Sequence, residues 1–90
     1  MARAVVTIRI MPESADSNLK KIELDAKETI EKNGGEFGRC SDVPIAFGLR
    51  ALEIVIIIDE KLGSEVFENA LGAIENVASA SVTDFRRTMG

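Results

Sequence analysis

An α+β fold of six elements in the order β-α-β-β-α-β is predicted by three features of the 90-residue sequence. Residues 4–11 and 51–59 carry alternating side chains with the period of two of sheet strands. Each is followed by a stretch in which apolar residues recur at helical spacing. Two further strand signals, at 37–41 and 78–83, complete a pseudo-repeat of two β-α-β halves.

In the first strand Val6, Ile8 and Ile10 share one face, with Val5, Thr7, Arg9 and Met11 on the other, and Pro12 ends it. Ser17 is expected to cap the first helix. Its buried stripe is Leu19, Ile22, Ala26 and Ile30, which fall within an arc of about 80°. Leu24 lies outside that stripe, and charges of both signs cover the rest. Asn33-Gly34-Gly35 supplies the backbone freedom that stops a helix.

Phe37–Ser41 forms a short second strand, and a turn spans Asp42 to Leu49. Ala51–Asp59 is then the central strand, with Leu52, Ile54, Ile56 and Ile58 on one face. Its other face, Glu53, Val55, Ile57 and Asp59, is half apolar. After the turn Lys61-Leu62-Gly63, Ser64 is expected to cap a second helix. Val66, Phe67, Ala70, Leu71, Ile74 and Val77 occupy an arc of about 140° on it. Ala78–Thr83 alternates small apolar residues with Ser or Thr as the last strand.

This order builds the ferredoxin-like split β-α-β plait, a four-stranded antiparallel sheet with two helices on one face. Strands one and three lie centrally, and Arg9, Glu53, Val55, Ile57 and Ser81 share the open face. Val55 and Ile57 mark either a weak contact patch or ordinary surface, since scattered apolar surface is normal.

Length and composition bound the function. Ninety residues make one domain, which buries roughly 60–65% of the surface of its unfolded chain. A net charge of −4 and an isoelectric point near 4.8, with no Trp or Tyr and only four Phe, argue against nucleic-acid binding. Cys40 is the single cysteine, which excludes an intrachain disulfide and implies a reducing compartment. No apolar run reaches the ~18–20 residues of a membrane span, and Met1-Ala2-Arg3-Ala4 leads into a strand rather than a secretion signal. A cytoplasmic protein without a membrane partner is expected.

The chain has no His, so imidazole acid-base catalysis and histidine ligation are unavailable. Gly34, Gly35 and Gly38 fit neither GxxxxGK[ST] nor GxGxxG, and no CxxC pair exists to carry a metal. Neither a cofactor nor a metal nor covalent chemistry is expected.

Two segments remain chemically pointed. In Pro44-Ile45-Ala46-Phe47-Gly48-Leu49-Arg50, Pro44 stiffens the approach and Gly48 tolerates unusual dihedrals, so Phe47 fits the tip of a hairpin. Exposed, it would anchor an interface; folded back, it would cap the edge of the core. In Ser81-Val82-Thr83-Asp84-Phe85-Arg86-Arg87, two adjacent guanidiniums follow Asp84 beyond the predicted last strand. They fit acidic or phosphate groups on a partner, or simply a solvated tail.

Together these two segments resemble the signature turn and the C-terminal strand and tail of elongation factor 1-beta exchange domains, and the likeness extends over residues 1–90 as a single domain. In organisation the chain looks like the compact archaeal form. The resemblance implies a guanine-nucleotide exchange factor that promotes GDP release and GTP reloading on elongation factor 1-alpha during translation elongation. It implies a GDP-bound GTPase as partner, no direct nucleic-acid contact, and a monomer when free. Phe47 matches the family's contact aromatic, with Pro44 and Gly48 shaping its turn. The eukaryotic relatives end in a basic residue that reaches the magnesium and phosphate region, whereas this chain ends in Thr88-Met89-Gly90. Arg86 and Arg87, with Asp84, stand a few residues earlier. The alternative from another class is a ferredoxin-like regulatory module that binds an amino acid at strand-helix loops, with the Val55/Ile57 face as its dimer surface.

Overall fold

The computed structural model describes residues 3–46 and 48–88. Its elements are β1 (Arg3–Pro12), α1 (Leu19–Lys32), β2 (Glu36–Pro44), β3 (Arg50–Asp59), α2 (Ser64–Gly72) and β4 (Val77–Thr88). The four strands form one antiparallel sheet in the order β2-β3-β1-β4. This is the plait predicted above, with β1 and β3 central.

The period-2 pattern determines which face is covered. Val6, Ile8 and Ile10 of β1 and Ile54, Ile56 and Ile58 of β3 are fully buried, while their neighbours along each strand are half-buried. The helices pack on that side, α1 over β2 and β3, α2 over β1 and β4. Ile22, Ala26 and Ile30 come from α1, and Phe67 and Leu71 from α2. Each large side chain so buried stabilises the fold by about 1.5–3 kcal/mol. Among the described residues none that is polar or charged is buried, so the core carries no unpaired polar group.

The helix ends show which local chemistry operates. Asn18, not Ser17, is the N-cap of α1: its Oδ1 accepts from the Lys21 amide at 3.2 Å. Ser17 is one residue too early, and its Oγ instead accepts from the Ser14 amide at 3.2 Å in the preceding turn. At the other end Gly35 N–H donates to Ile30 O at 2.9 Å and Gly34 N–H to Glu31 O at 3.2 Å. Gly34 sits at φ +90, so this is the left-handed helix stop read from Asn33-Gly34-Gly35. Helix α2 is capped by Gly63, with no side-chain bond, and Ser64 is its first residue. Val77 belongs to β4, not to the helical arc, because Asn76 takes φ +69 and turns the chain out of the helix.

Two strands run further than their composition suggests. Strand β2 begins at Glu36 and reaches Pro44, narrowing the predicted turn; Pro44 ends an edge strand, where its missing N–H costs no ladder bond. Strand β4 continues to Thr88 instead of stopping at Thr83. The N-terminal half of β1 would otherwise lack a neighbour on that side, and Asp84, Phe85, Arg86 and Arg87 pair with Thr7, Val6, Val5 and Ala4. The register shift between Thr7 and Ile8 leaves Thr83 as the extra residue of a bulge.

Candidate interaction site

The β2–β3 hairpin presents the first predicted site. Ile45 N–H donates to Leu49 O and Leu49 N–H to Ala46 O, both at 2.9 Å, closing a tight turn directly beyond the two strands. Gly48 holds φ +77, a conformation that excludes most side chains, and no atom lies within 4 Å of where a Cβ would stand. The turn therefore projects away from the body. Pro44 and Gly48 are exposed, whereas Phe47 lies outside the described residues. Ile45 is a contact candidate that the sequence reading passed over: it is 42% exposed beside the aromatic position. Its signal was a large apolar residue inside a Pro/Gly-bounded turn.

The second predicted site is a strand end, not a free tail. Arg86 and Asp84 stand two residues apart on β4 and share the open face, where Arg86 Nε donates to Asp84 Oδ2 at 3.0 Å. The guanidinium is pre-positioned yet 78% exposed. Arg87 pairs in register with Ala4 and so points to the helix-covered side; it forms no ion pair among the described residues. Phe85, between the two arginines and Asp84, is 42% exposed, the second large apolar side chain missed in the sequence.

The register fixes how far apart these sites lie. Arg86 is level with Val5 and Ile57, while the hairpin begins at Arg50, seven residues back along β3. At 3.3 Å per residue the separation is about 23 Å. A partner touching both must span most of the sheet's length.

An open groove of about 630 Å³ between α1 and the α2–β4 turn is lined by Asp25, Glu28, Thr29, Lys32, Ile74 and Glu75. Its single apolar lining residue is Ile74, so it lacks the apolar enclosure of a small-molecule pocket. Among the described residues no group of three or more acidic or thiol side chains is placed to hold a metal ion. Cys40, on β2, has its thiol pushed up to about 12 by burial and by the carboxylates of Glu23 and Asp42, which keeps it protonated at neutral pH.

The described residues thus place an exposed hairpin and an exposed guanidinium at opposite ends of one acidic α+β plait. The family described as EF-1 guanine nucleotide exchange domain matches residues 5–88, and the chain belongs to that family. Elongation factor 1-beta of Methanothermobacter thermautotrophicus is 40% identical over 90 residues, covering 99% of this chain and 100% of the relative. The Methanosphaera stadtmanae protein of the same name is 37% identical with the same coverage. That of Halobacterium salinarum is 34% identical over 88 residues, covering 97% and 99%. Among solved structures, the C-terminal domain of the MgtC protein from Mycobacterium tuberculosis aligns with a TM-score of 0.61 at 10% identity, over 98% of this chain and 88% of that one. At that identity the likeness concerns the fold alone. The family match supports a nucleotide-exchange role in translation elongation, and no helix is long and apolar enough to cross a membrane.

Proposed function

We propose that residues 1–90 act as one exchange domain that docks on GDP-bound elongation factor 1-alpha in the cytoplasm, promotes GDP release and permits GTP reloading, with no covalent chemistry. The observation that carries this reading is the family match over residues 5–88, together with a projecting hairpin and an exposed guanidinium at opposite ends of one sheet. Phe47 anchors on the GTPase, with Pro44 and Gly48 shaping the turn that carries it. Arg86, oriented by Asp84, faces its phosphate-binding region, with Arg87 at the same strand end on the other side of the sheet.

Exchange needs no catalytic group. A partner that binds best when the phosphate and magnesium site is distorted must weaken nucleotide binding by the same factor that nucleotide weakens the partner. Each ~1.4 kcal/mol of such coupling lowers GDP affinity tenfold. Two contacts about 23 Å apart give leverage for this, because they engage separate regions of a large GTPase and hold one region in a displaced position relative to the other.

Fluorescent GDP preloaded on elongation factor 1-alpha tests the reading directly. Release accelerates with added protein and saturates; release unchanged at a molar excess overturns the proposal.

A further inference from the structure

Strand β4 is held differently along its two halves. Ala80 and Val82 pack against the core, whereas every residue from Thr83 to Thr88 is exposed. Between the halves the ladder skips: Val82 pairs with Ile8 and Asp84 with Thr7, leaving Thr83 as the extra residue. The far half, which carries Arg86, leans on its pairing with β1 and on Thr88, whose Oγ1 donates to Arg3 O at 3.0 Å.

Register is strongly specified where one face of a strand is buried and weakly specified where neither is. If Thr83 closed into the ladder opposite Thr7, Asp84 would fall opposite Val6 and Arg86 opposite Ala4. Burial does not oppose this slip, since every residue of β4 that it moves is exposed. Yet the slip would turn Asp84 and Arg86 to the helix-covered side and bring Phe85 and Arg87 to the open face. Which arginine the open face presents therefore depends on the bulge staying at Thr83.

Among the described residues Glu68 is the only helical side chain that hydrogen-bonds β4, and it does so at this point. Its Oε2 accepts from the Val82 N–H at 2.8 Å, a part-buried, charge-assisted bond one residue before the bulge. Strand β4 is an edge, so this amide would otherwise be left to water. A bulge bends and twists its strand, and fixing the amide just before it fixes the direction in which the following residues leave. We propose that Glu68 is a positioning residue for exchange: from α2 it holds the bulge at Thr83 and so keeps Asp84 and Arg86 on the open face. It acts through Arg86. The effect on exchange rests on the function proposed above, whereas the effect on the register does not.

Two measurements on the full chain test these effects separately. In the free protein, cross-strand NMR contacts read the register: Phe85 with Val6 in the bulged form, Asp84 with Val6 in the slipped one. Glu68→Ala is expected to gain the Asp84–Val6 contact and to shift the Arg86 Nε–H resonance. Glu68→Gln, which keeps an acceptor oxygen, retains the wild-type pattern. Glu68→Leu, of similar bulk without an acceptor, repeats the test if the smaller side chain costs the fold its cooperativity. Wild-type contacts and an unshifted Arg86 Nε–H in the variants without an acceptor overturn the proposal, whatever the exchange assay gives. With fluorescent GDP on elongation factor 1-alpha, Glu68→Ala slows stimulated release roughly three- to tenfold, and Glu68→Gln recovers most of that loss. In an Arg86→Ala background Glu68→Ala slows release no further. Equal slowing in that background means that Glu68 acts by its own contact or by loosening the fold, and overturns the proposal. If the wild-type chain does not stimulate release, the exchange reading falls, and the NMR contacts alone decide whether Glu68 sets the register.

Discussion

Arg86 donates from Nε to Oδ2 of Asp84 at 3.0 Å across two residues of the same strand, and both project from the open face. An ion pair this exposed contributes no more than about 1 kcal/mol, so its effect is to hold a guanidinium in one direction. Asp84→Asn is expected to leave the melting temperature within about 5 °C of wild type. It releases Arg86 from its partner and slows stimulated GDP release a few-fold. Arg86→Ala, which removes a charge-assisted contact, slows release about tenfold or more. Both rates come from fluorescent GDP on elongation factor 1-alpha, and unchanged rates would leave the pair as surface chemistry. Truncation after Asp84 is a poor substitute, because it strips the pairings of Phe85–Thr88 with Arg3–Val6.

The hairpin separates contact from conformation. Gly48 at φ +77 has open space around its absent side chain, so Gly48→Ala meets only the left-handed backbone penalty, about 1–2 kcal/mol. Gly48→Asn, which tolerates that region, costs less. If the turn presents Phe47 to the GTPase, Gly48→Ala slows exchange more than Gly48→Asn, in the same order as their melting temperatures fall. Phe47→Ala slows exchange without following that order, with a melting curve close to wild type. A cooperative loss of folding in Phe47→Ala would show that the ring packs on the core instead.

Legibility in the sequence followed the range of the interactions. Ile54, Ile56 and Ile58 announced their face because period-2 burial is local, and Gly34-Gly35 announced the α1 stop because only a left-handed residue completes those two hydrogen bonds. The N-cap differed by one residue because Ser17 and Asn18 are both competent, and the choice rests on which oxygen lines up with Lys21 N–H. The length of β4 was hidden. Asp84, Arg86 and Arg87 have little intrinsic strand preference, and what extends the strand is the unpaired half of β1, 80 residues away in sequence. The candidate residues Pro44, Gly48, Asp84, Arg86 and Arg87 could be named from the chain, but the pairing of Arg86 with Asp84 and the opposite facing of Arg87 required the register.

Two glycines test the packing of the β2 edge. A Cβ on Gly38 would stand 2.7 Å from the carbonyl oxygen of Val55, and that oxygen belongs to the sheet backbone. A Cβ on Gly35 would meet Ile30 Cγ2 and Phe67 Cε1 at 2.9 Å, both side-chain atoms. Gly38 is the extra residue of a bulge between Phe37 and Arg39, which pair with Ile56 and Val55, so Gly38→Ala must displace the ladder and is expected to cost about 2–3 kcal/mol. Gly35→Ala presses on Ile30 and Phe67, which have limited freedom in the core, at about 1–3 kcal/mol. Urea unfolding gives both values. Gly38→Ala as stable as wild type would mean that the bulge relaxes freely.

Cys40 predicts an alkaline limit to stability. Burial, then the carboxylates of Glu23 and Asp42, raise its thiol from 9.0 to about 12 in the folded state. The folded chain thus keeps a proton that the unfolded chain loses above pH ~9, and fewer protons bound on unfolding means that stability falls as pH rises. The fall begins near the unfolded value and continues up to the folded one. Other groups also titrate in that range, but Cys40→Ala carries all of them except the thiol. The melting temperature of wild type is therefore expected to decline relative to Cys40→Ala between pH 8 and pH 11, and iodoacetamide at pH 8 to label the folded thiol far more slowly than the urea-unfolded chain. Parallel pH profiles for the two proteins, or equal labelling rates, would mean that Cys40 opens to solvent and ionises like a free thiol.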